Sequence, residues 1–176
     1  MLEEIICAGF GGQGVLLMGT LLAHAGMKEG KHVLGIPSYG AEMRGGTANY
    51  GLIISDKEIR CPIVFCPTTC IIMNSPSLEK FLPRIKKGGL LFLNSSLVKE
   101  GVNRSDIEII RIPATEIAES LGNIKSANVV ILGSYAAKKG VPSLESLLNS
   151  LKDVLPKHRH HLLETNQEAL RKGYSF

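Results

Sequence analysis

Residues 2–29, LEEIICAGFGGQGVLLMGTLLAHAGMKE, decide the fold of this chain. An apolar strand (3–8) leads into glycines at positions 9, 11 and 14, and a helix is expected over 13–29. This is the G-x-G-x-x-G spacing in its strand–turn–helix context. The helix start carries no Ser, Thr, Asp or Asn cap, so its N–H groups are predicted to be available to an anion. We expect a phosphate, pyrophosphate or carboxylate here; the alternative is a close-packed turn without a ligand.

The second strand argues against a nicotinamide dinucleotide at this turn. A ribose-binding acid is expected about 20 residues after the glycines. The second strand, 32–36, contains no acid; Glu29 precedes it and Glu42 lies well beyond it.

Composition predicts one compact domain, residues 1–176, with 44% apolar and 20% charged residues. The 13–29 helix is apolar on most of its faces, so either other layers of the domain or a partner subunit should cover it. A net charge of +4 without tryptophan does not favour nucleic-acid binding. The acidic start and the lack of a long apolar run argue against a secretory signal and a membrane span, so we expect a cytoplasmic protein.

Alternating strands and helices predict an α/β fold: a three-layer, doubly wound, mostly parallel sheet (Rossmann-like) with an added antiparallel hairpin. The hairpin is expected to join 49–55 to 59–65 through Asp56 and Lys57. The other predicted strands are 3–8, 32–36, 70–74, 90–93 and 107–112, and the helices are 13–29, 75–87, 113–121, 127–139, 143–154 and 157–172.

Three segments are expected at the carboxyl ends of the strands, where such sheets bind ligands: Gly9–Gly14, Ser38–Thr47 and Asn94–Ser96. In the second segment, Arg44 is followed by two glycines, which suits a phosphate or carboxylate. Pairing of Arg44 with Glu42, which would only hold the loop, is the alternative.

The other polar groups favour structural interpretations. Cys61, Cys66 and Cys70 match an iron–sulfur spacing imperfectly, and we expect reduced core thiols there. In Lys157–His161 consecutive histidines point in different directions, which favours a solvated helix face over a metal site. Asn128 is predicted to be a helix-start residue rather than a ligand contact. We recognise no catalytic set.

Two glycine-rich motifs together, GFGGQGV (9–15) and SYGAEMRGGTANYGLIISDKEI (38–59), closely resemble the gamma subunit of the 2-oxoacid:ferredoxin oxidoreductases, most of all the 2-oxoglutarate type. The similarity extends to IIMNSPSLEKF (71–81) and ANVVILGSY (127–135). It implies a subunit of a complex that decarboxylates a 2-oxoacid to an acyl-CoA, with an iron–sulfur protein as electron acceptor.

The resemblance also implies partners and site residues. Thiamine diphosphate and iron–sulfur clusters would belong to the alpha, beta and ferredoxin-like delta subunits, with ferredoxin as an indirect partner, and this chain would bind coenzyme A. It leaves open whether the isolated chain forms a homodimer. Carried over by position, the cofactor-binding residues are Gly9, Gly11, Gly12, Gln13, Gly14, Ser38, Tyr39, Glu42, Met43, Arg44, Gly45 and Gly46.

Two other hypotheses compete with this one. The first is a stand-alone Rossmann-type redox protein that holds a nucleotide or flavin itself. The second is a packing subunit whose glycine turn binds nothing.

Overall fold

A computed structural model describes residues 1–40 and 46–176. Six strands form one sheet in the order β2-β3-β1-β4-β5-β6. β1, β4, β5 and β6 are parallel, and β3 runs antiparallel between β1 and β2. The strands are β1 (Leu2–Phe10), β2 (His32–Tyr39), β3 (Thr47–Ser55), β4 (Thr69–Ile72), β5 (Leu90–Asn94) and β6 (Glu108–Ile112). The predicted α/β class, with a mostly parallel sheet and an antiparallel pair, is confirmed.

The predicted hairpin pairing of 49–55 with 59–65 was wrong. β3 pairs with β2, in a register that runs from His32↔Ser55 to Tyr39↔Ala48, and 59–65 forms no strand. Pro62 cannot donate to a ladder, and the buried Val64 packs over the sheet face beside Gly51 instead. β2 also contains a proline, but it is an edge strand, where proline is tolerated.

The helices cover the two faces of the sheet unequally. One face packs against α1 and α4, with α5 and α6 outside them, and α2 lies on the other face. The helices are α1 (Val15–Lys28), α2 (Ser75–Phe81), α3 (Ala114–Ser120), α4 (Ala127–Lys139), α5 (Leu144–Val154) and α6 (Leu163–Tyr174). The predicted 157–172 helix is divided, because Lys157–Leu162 is a 3-10 segment.

The apolar α1 is covered largely by its own chain. It packs against β1, β2 and β3 on its inner side and against α5 on its outer side. Lys28 fixes the second contact by donating from Nζ to the carbonyl of Asn149 at 2.9 Å. Leu16 and Leu17, in its first turn, are only half-buried. Among the described helices none has the length and apolar character to cross a bilayer.

The cysteines divide into two pairs. Cys7 and Cys70 are buried in the sheet, and burial raises the pKa of the Cys70 thiol to about 12. The expectation of a core thiol is therefore confirmed for Cys70, but it was wrong for Cys61 and Cys66, which are exposed. No group of three or more His, Cys, Asp or Glu in 1–40 and 46–176 is arranged to hold a metal ion.

Candidate functional site

The turn between β1 and α1 depends on glycines with positive φ. Gly12 has φ +103° and Gly14 has φ +73°, conformations that side chains rarely adopt. Gly14 is the N-cap of α1, and no side chain caps the helix. Within the described parts of the chain, the amides of Gly12 and of residues 14–17 have no hydrogen-bond acceptor. The turn therefore presents backbone donors at the positive end of a helix.

The Gln13 side chain fastens this turn to the end of β4. Its Oε1 accepts from the Phe10 amide at 2.7 Å and from Asn74 Nδ2 at 3.3 Å. Its Nε2 donates to the Met73 carbonyl at 3.3 Å. A Cβ at Gly9 would lie 2.6 Å from Gln13 Oε1, so glycine is needed there for packing. Both residues shape the turn, and neither lines the cleft described below.

Asn128 links α4 to the same turn. Its Nδ2 donates to the Gly14 carbonyl at 3.1 Å, and only 2% of the residue is exposed. Asn128 lies in the first turn of α4, as predicted, but the N-cap of the helix is Ser126 and the Asn128 side chain contacts the glycine turn instead of capping α4. Its contact with Gly14 brings the N-termini of α1 and α4 together.

A cleft of about 640 Å³ opens beside the turn, at the carboxyl ends of the parallel strands (the carboxyl edge). The Gly11 amide donates to the Gly46 carbonyl at 2.9 Å, so the two glycine motifs meet there. The lining residues are Phe10, Gly11, Gly12, Gly14, Val15, Leu16, Leu17, Tyr39, Gly46, Thr47, Ala48, Lys125 and Arg159.

Five of the predicted site residues line this cleft: Gly11, Gly12, Gly14, Tyr39 and Gly46. Ser38 is exposed on β2 and does not line it. Glu42, Met43, Arg44 and Gly45 lie outside the described residues.

Asn94–Ser96 does not line the cleft, contrary to its expected convergence with the two glycine motifs. Asn94 Nδ2 donates to Thr115 Oγ1 at 2.9 Å, and Ser96 Oγ accepts from the Glu116 amide at 3.2 Å. These contacts hold the start of α3, so the Asn94 amide nitrogen and the Ser96 hydroxyl are used within the fold.

Sequence reasoning missed the two cationic residues of the cleft, Lys125 and Arg159. Arg159 belongs to the 157–161 run, whose predicted solvated face is largely confirmed by its exposure. Lys125 directly precedes α4, and a cation at a helix N-terminus is electrostatically unfavourable. This unfavourable position is the sequence signal that could have indicated Lys125 as a functional residue. In the described part of the chain neither cation has a carboxylate partner. Backbone donors, two cations and an apolar wall suit an anion with an apolar portion.

Comparison with known proteins gives the family. A profile described as pyruvate ferredoxin/flavodoxin oxidoreductase matches residues 4–176. The chain belongs to this family.

Relatives within the oxidoreductase family differ in the length over which they match. The KorC subunit of 2-oxoglutarate synthase from Methanocaldococcus jannaschii is 33% identical over 99% of this chain and 93% of its own length. The VorA subunit of ketoisovalerate oxidoreductase from Methanothermobacter thermautotrophicus is 40% identical over 74% of this chain. The match covers only 27% of VorA, so the chain spans about a quarter of that relative.

Solved structures show the same architecture. The gamma subunit of a keto/oxoacid ferredoxin oxidoreductase from Geobacter sulfurreducens superposes with a TM-score of 0.84 at 28% identity, over 98% of this chain and 96% of that one. The 2-oxoglutarate:ferredoxin oxidoreductase of Magnetococcus marinus, with 2-oxoglutarate, coenzyme A and succinyl-CoA bound, gives 0.90 at 25% identity, over 99% of this chain and 30% of that one. The predicted resemblance to the gamma subunits of this oxidoreductase family is confirmed.

Proposed function

We propose that this chain is the gamma subunit of a thiamine diphosphate-dependent complex that converts 2-oxoglutarate to its acyl-CoA and reduces ferredoxin. Alpha, beta and ferredoxin-like delta subunits would hold thiamine diphosphate and the iron–sulfur clusters. The chain would act in the cytoplasm as one gamma-type domain, 1–176, and would be inactive alone.

The carboxyl-edge cleft is the observation that carries the proposal. It combines the uncapped start of α1 with two cations, and phosphate groups are the ligands that such donors favour. Coenzyme A carries phosphates at one end and a long, less polar arm at the other. The Magnetococcus marinus relative, which shares this fold, has coenzyme A bound.

The predicted site residues divide by role. The free amides of Gly12 and Gly14 would contact the phosphates, Gly11 and Gly46 would join the two glycine motifs beside them, and Tyr39 would pack against an apolar part of the ligand. Gly9 and Gln13 would hold the turn in shape. Ser38, Glu42, Met43, Arg44 and Gly45 remain proposed contacts on the rim, near the junction with other subunits.

The choice of 2-oxoglutarate rests on the nearly full-length match to the Methanocaldococcus jannaschii 2-oxoglutarate synthase subunit. The ketoisovalerate relative is more similar over a shorter stretch. Substrate choice therefore needs a direct assay with 2-oxoglutarate, 2-oxoisovalerate and pyruvate.

Affinity purification of the tagged chain from its own cells tests the proposal. We expect thiamine-binding and cluster-binding subunits to co-purify, and the preparation to reduce ferredoxin only when both 2-oxoglutarate and coenzyme A are present. A chain that elutes alone would contradict it. A yellow, flavin-containing chain without partners would support the stand-alone redox protein instead.

A further inference from the structure

We propose that Lys125 and Arg159 form a two-point clamp for the phosphate groups of a nucleotide-type ligand. The inference deepens the proposed function and rests on it. Lys125 lies in the turn before α4, and Arg159 lies in the 3-10 segment before α6. Both nevertheless line the wall of the cleft that the glycine turn forms.

Two helix N-termini and two cationic side chains make the electrostatic potential at this wall of the cleft positive. The Asn128–Gly14 hydrogen bond brings the N-termini of α1 and α4 to the same place. Helix N-termini repel cations, so Lys125 at the start of α4 does not stabilise the empty protein. No acidic side chain stands on the described wall of the cleft. A bound anion would offset this charge.

A chain of hydrogen bonds, centred on the buried pair Ser126–Asn166, holds the two cation-bearing segments against each other. Asn123 Nδ2 donates to Ser126 Oγ at 2.9 Å, and Ser126 Oγ donates to Asn166 Oδ1 at 3.2 Å. Asn166 Nδ2 then donates to the carbonyl of Leu162 at 2.8 Å, at the end of the segment that carries the arginine. Ser126 and Asn166 are 1% and 5% exposed. The chain of bonds fixes the backbone positions from which both cations extend.

The remainder of the cleft indicates the class of ligand. Its volume of about 640 Å³ falls in the range of small-molecule and cofactor sites, roughly 300–1,000 Å³. Leu16, Leu17 and Tyr39 give it an apolar side next to the amides and cations. A phosphorylated nucleotide with an apolar arm fits this combination better than a small 2-oxoacid does.

The clamp is tested in the purified complex by the double variant Lys125→Gln/Arg159→Gln. Arg171→Gln/Lys172→Gln is the charge-matched control, since both residues are exposed on α6 and neither lines the cleft. We measure KM for coenzyme A, KM for the 2-oxoacid, and competitive inhibition by 3′,5′-ADP. Lost charge-assisted contacts should raise the KM for coenzyme A and the inhibition constant of 3′,5′-ADP by about tenfold or more.

In the control variant, the KM for coenzyme A and the inhibition constant of 3′,5′-ADP should equal the wild-type values. The KM for the 2-oxoacid should be unchanged in both variants. Equal values in the clamp variant and the wild type, or an equal loss in the control, overturn the clamp and leave the gamma-subunit proposal intact. A wild-type complex that neither uses coenzyme A nor binds 3′,5′-ADP overturns both.

Discussion

The two ends of one sheet use charge in opposite ways. At the amino ends of the parallel strands (the amino edge), lysines are matched by carboxylates. At the carboxyl edge, Lys125 and Arg159 face a cleft together with backbone donors that have no acceptor among the described residues. Three lysine–glutamate contacts lie at the amino edge: Lys86–Glu4, Lys138–Glu108 at 2.6 Å and Lys139–Glu3 at 2.7 Å.

This difference distinguishes the charged groups that stabilise the fold from those that are available to a ligand. Glu3 is 5% exposed and accepts a hydrogen bond from Thr69 Oγ1 at 2.5 Å as well as the contact from Lys139. Its charge is satisfied inside the protein. The cleft cations instead remain unmatched in 1–40 and 46–176, as a binding site requires.

The largest expected effect is at the glycine turn. Gly14→Ala should lower the free energy of unfolding by about 3 kcal/mol, because alanine is strained at this φ and its Cβ would lie 2.3 Å from Asn128 Nδ2. Gly12→Ala, with a positive φ and open space around it, should cost about 1 kcal/mol. Urea denaturation measures both.

A double-mutant cycle sharpens this test. Asn128→Ala should recover part of the loss caused by Gly14→Ala, because the two sites are in contact. Strictly additive losses, or equal losses for the two glycine variants, would contradict the packing of α4 on the turn.

A matched pair of lysines tests the two edges directly. Lys139→Met should cost about 2 kcal/mol, since it leaves the buried carboxylate of Glu3 without its cation. Lys125→Met, at an exposed position, should change stability by no more than about 0.5 kcal/mol. Thermal and urea unfolding of both variants give the comparison, and similar losses in the two would refute the contrast between the edges.

Much of the fold could be predicted because local signals agreed with the tertiary structure. The predicted helices 127–139 and 143–154 agree closely with α4 and α5, because Gly140 ends α4 in a left-handed conformation and the Ser143 side chain caps α5. The hairpin was misassigned because 59–65 has the composition of a strand but packs over the sheet. The exposed edge strand β2 instead continues through Pro37 and pairs with β3.

The glycine motifs, but not the whole cleft, could be found in the sequence. Gly11 and Gly46 belong to motifs that a local pattern reveals, and their hydrogen bond is the contact that the paired motifs suggested. Lys125 and Arg159 lie more than a hundred residues from the turn, and only tertiary packing brings them there.

A smaller effect is expected from pH at the amino edge. Hydrogen bonds from Lys31 and from the N-terminal ammonium lower the pKa of Asp56 to about 2. The stabilisation is present above the unfolded value, about 3.9, and is lost as pH falls through about 2.

A carbon-detected NMR titration of the Asp56 carboxyl measures this directly. Lys31→Met should move its midpoint upward, whereas Lys57→Met, which removes a neighbouring charge that does not contact it, should leave it in place. A wild-type midpoint near 4 would show that the amino-edge carboxylate is not held by its cations.

Hydrogen–deuterium exchange of the intact complex, with and without saturating coenzyme A, tests the central claim that the carboxyl edge binds the ligand and the amino edge only stabilises the fold. Bound phosphates should slow exchange at the amides of 11–17 and 46–48, while 86–90 at the amino edge should exchange unchanged. Protection confined to the amino edge, or none in a complex that is turning over coenzyme A, would contradict it.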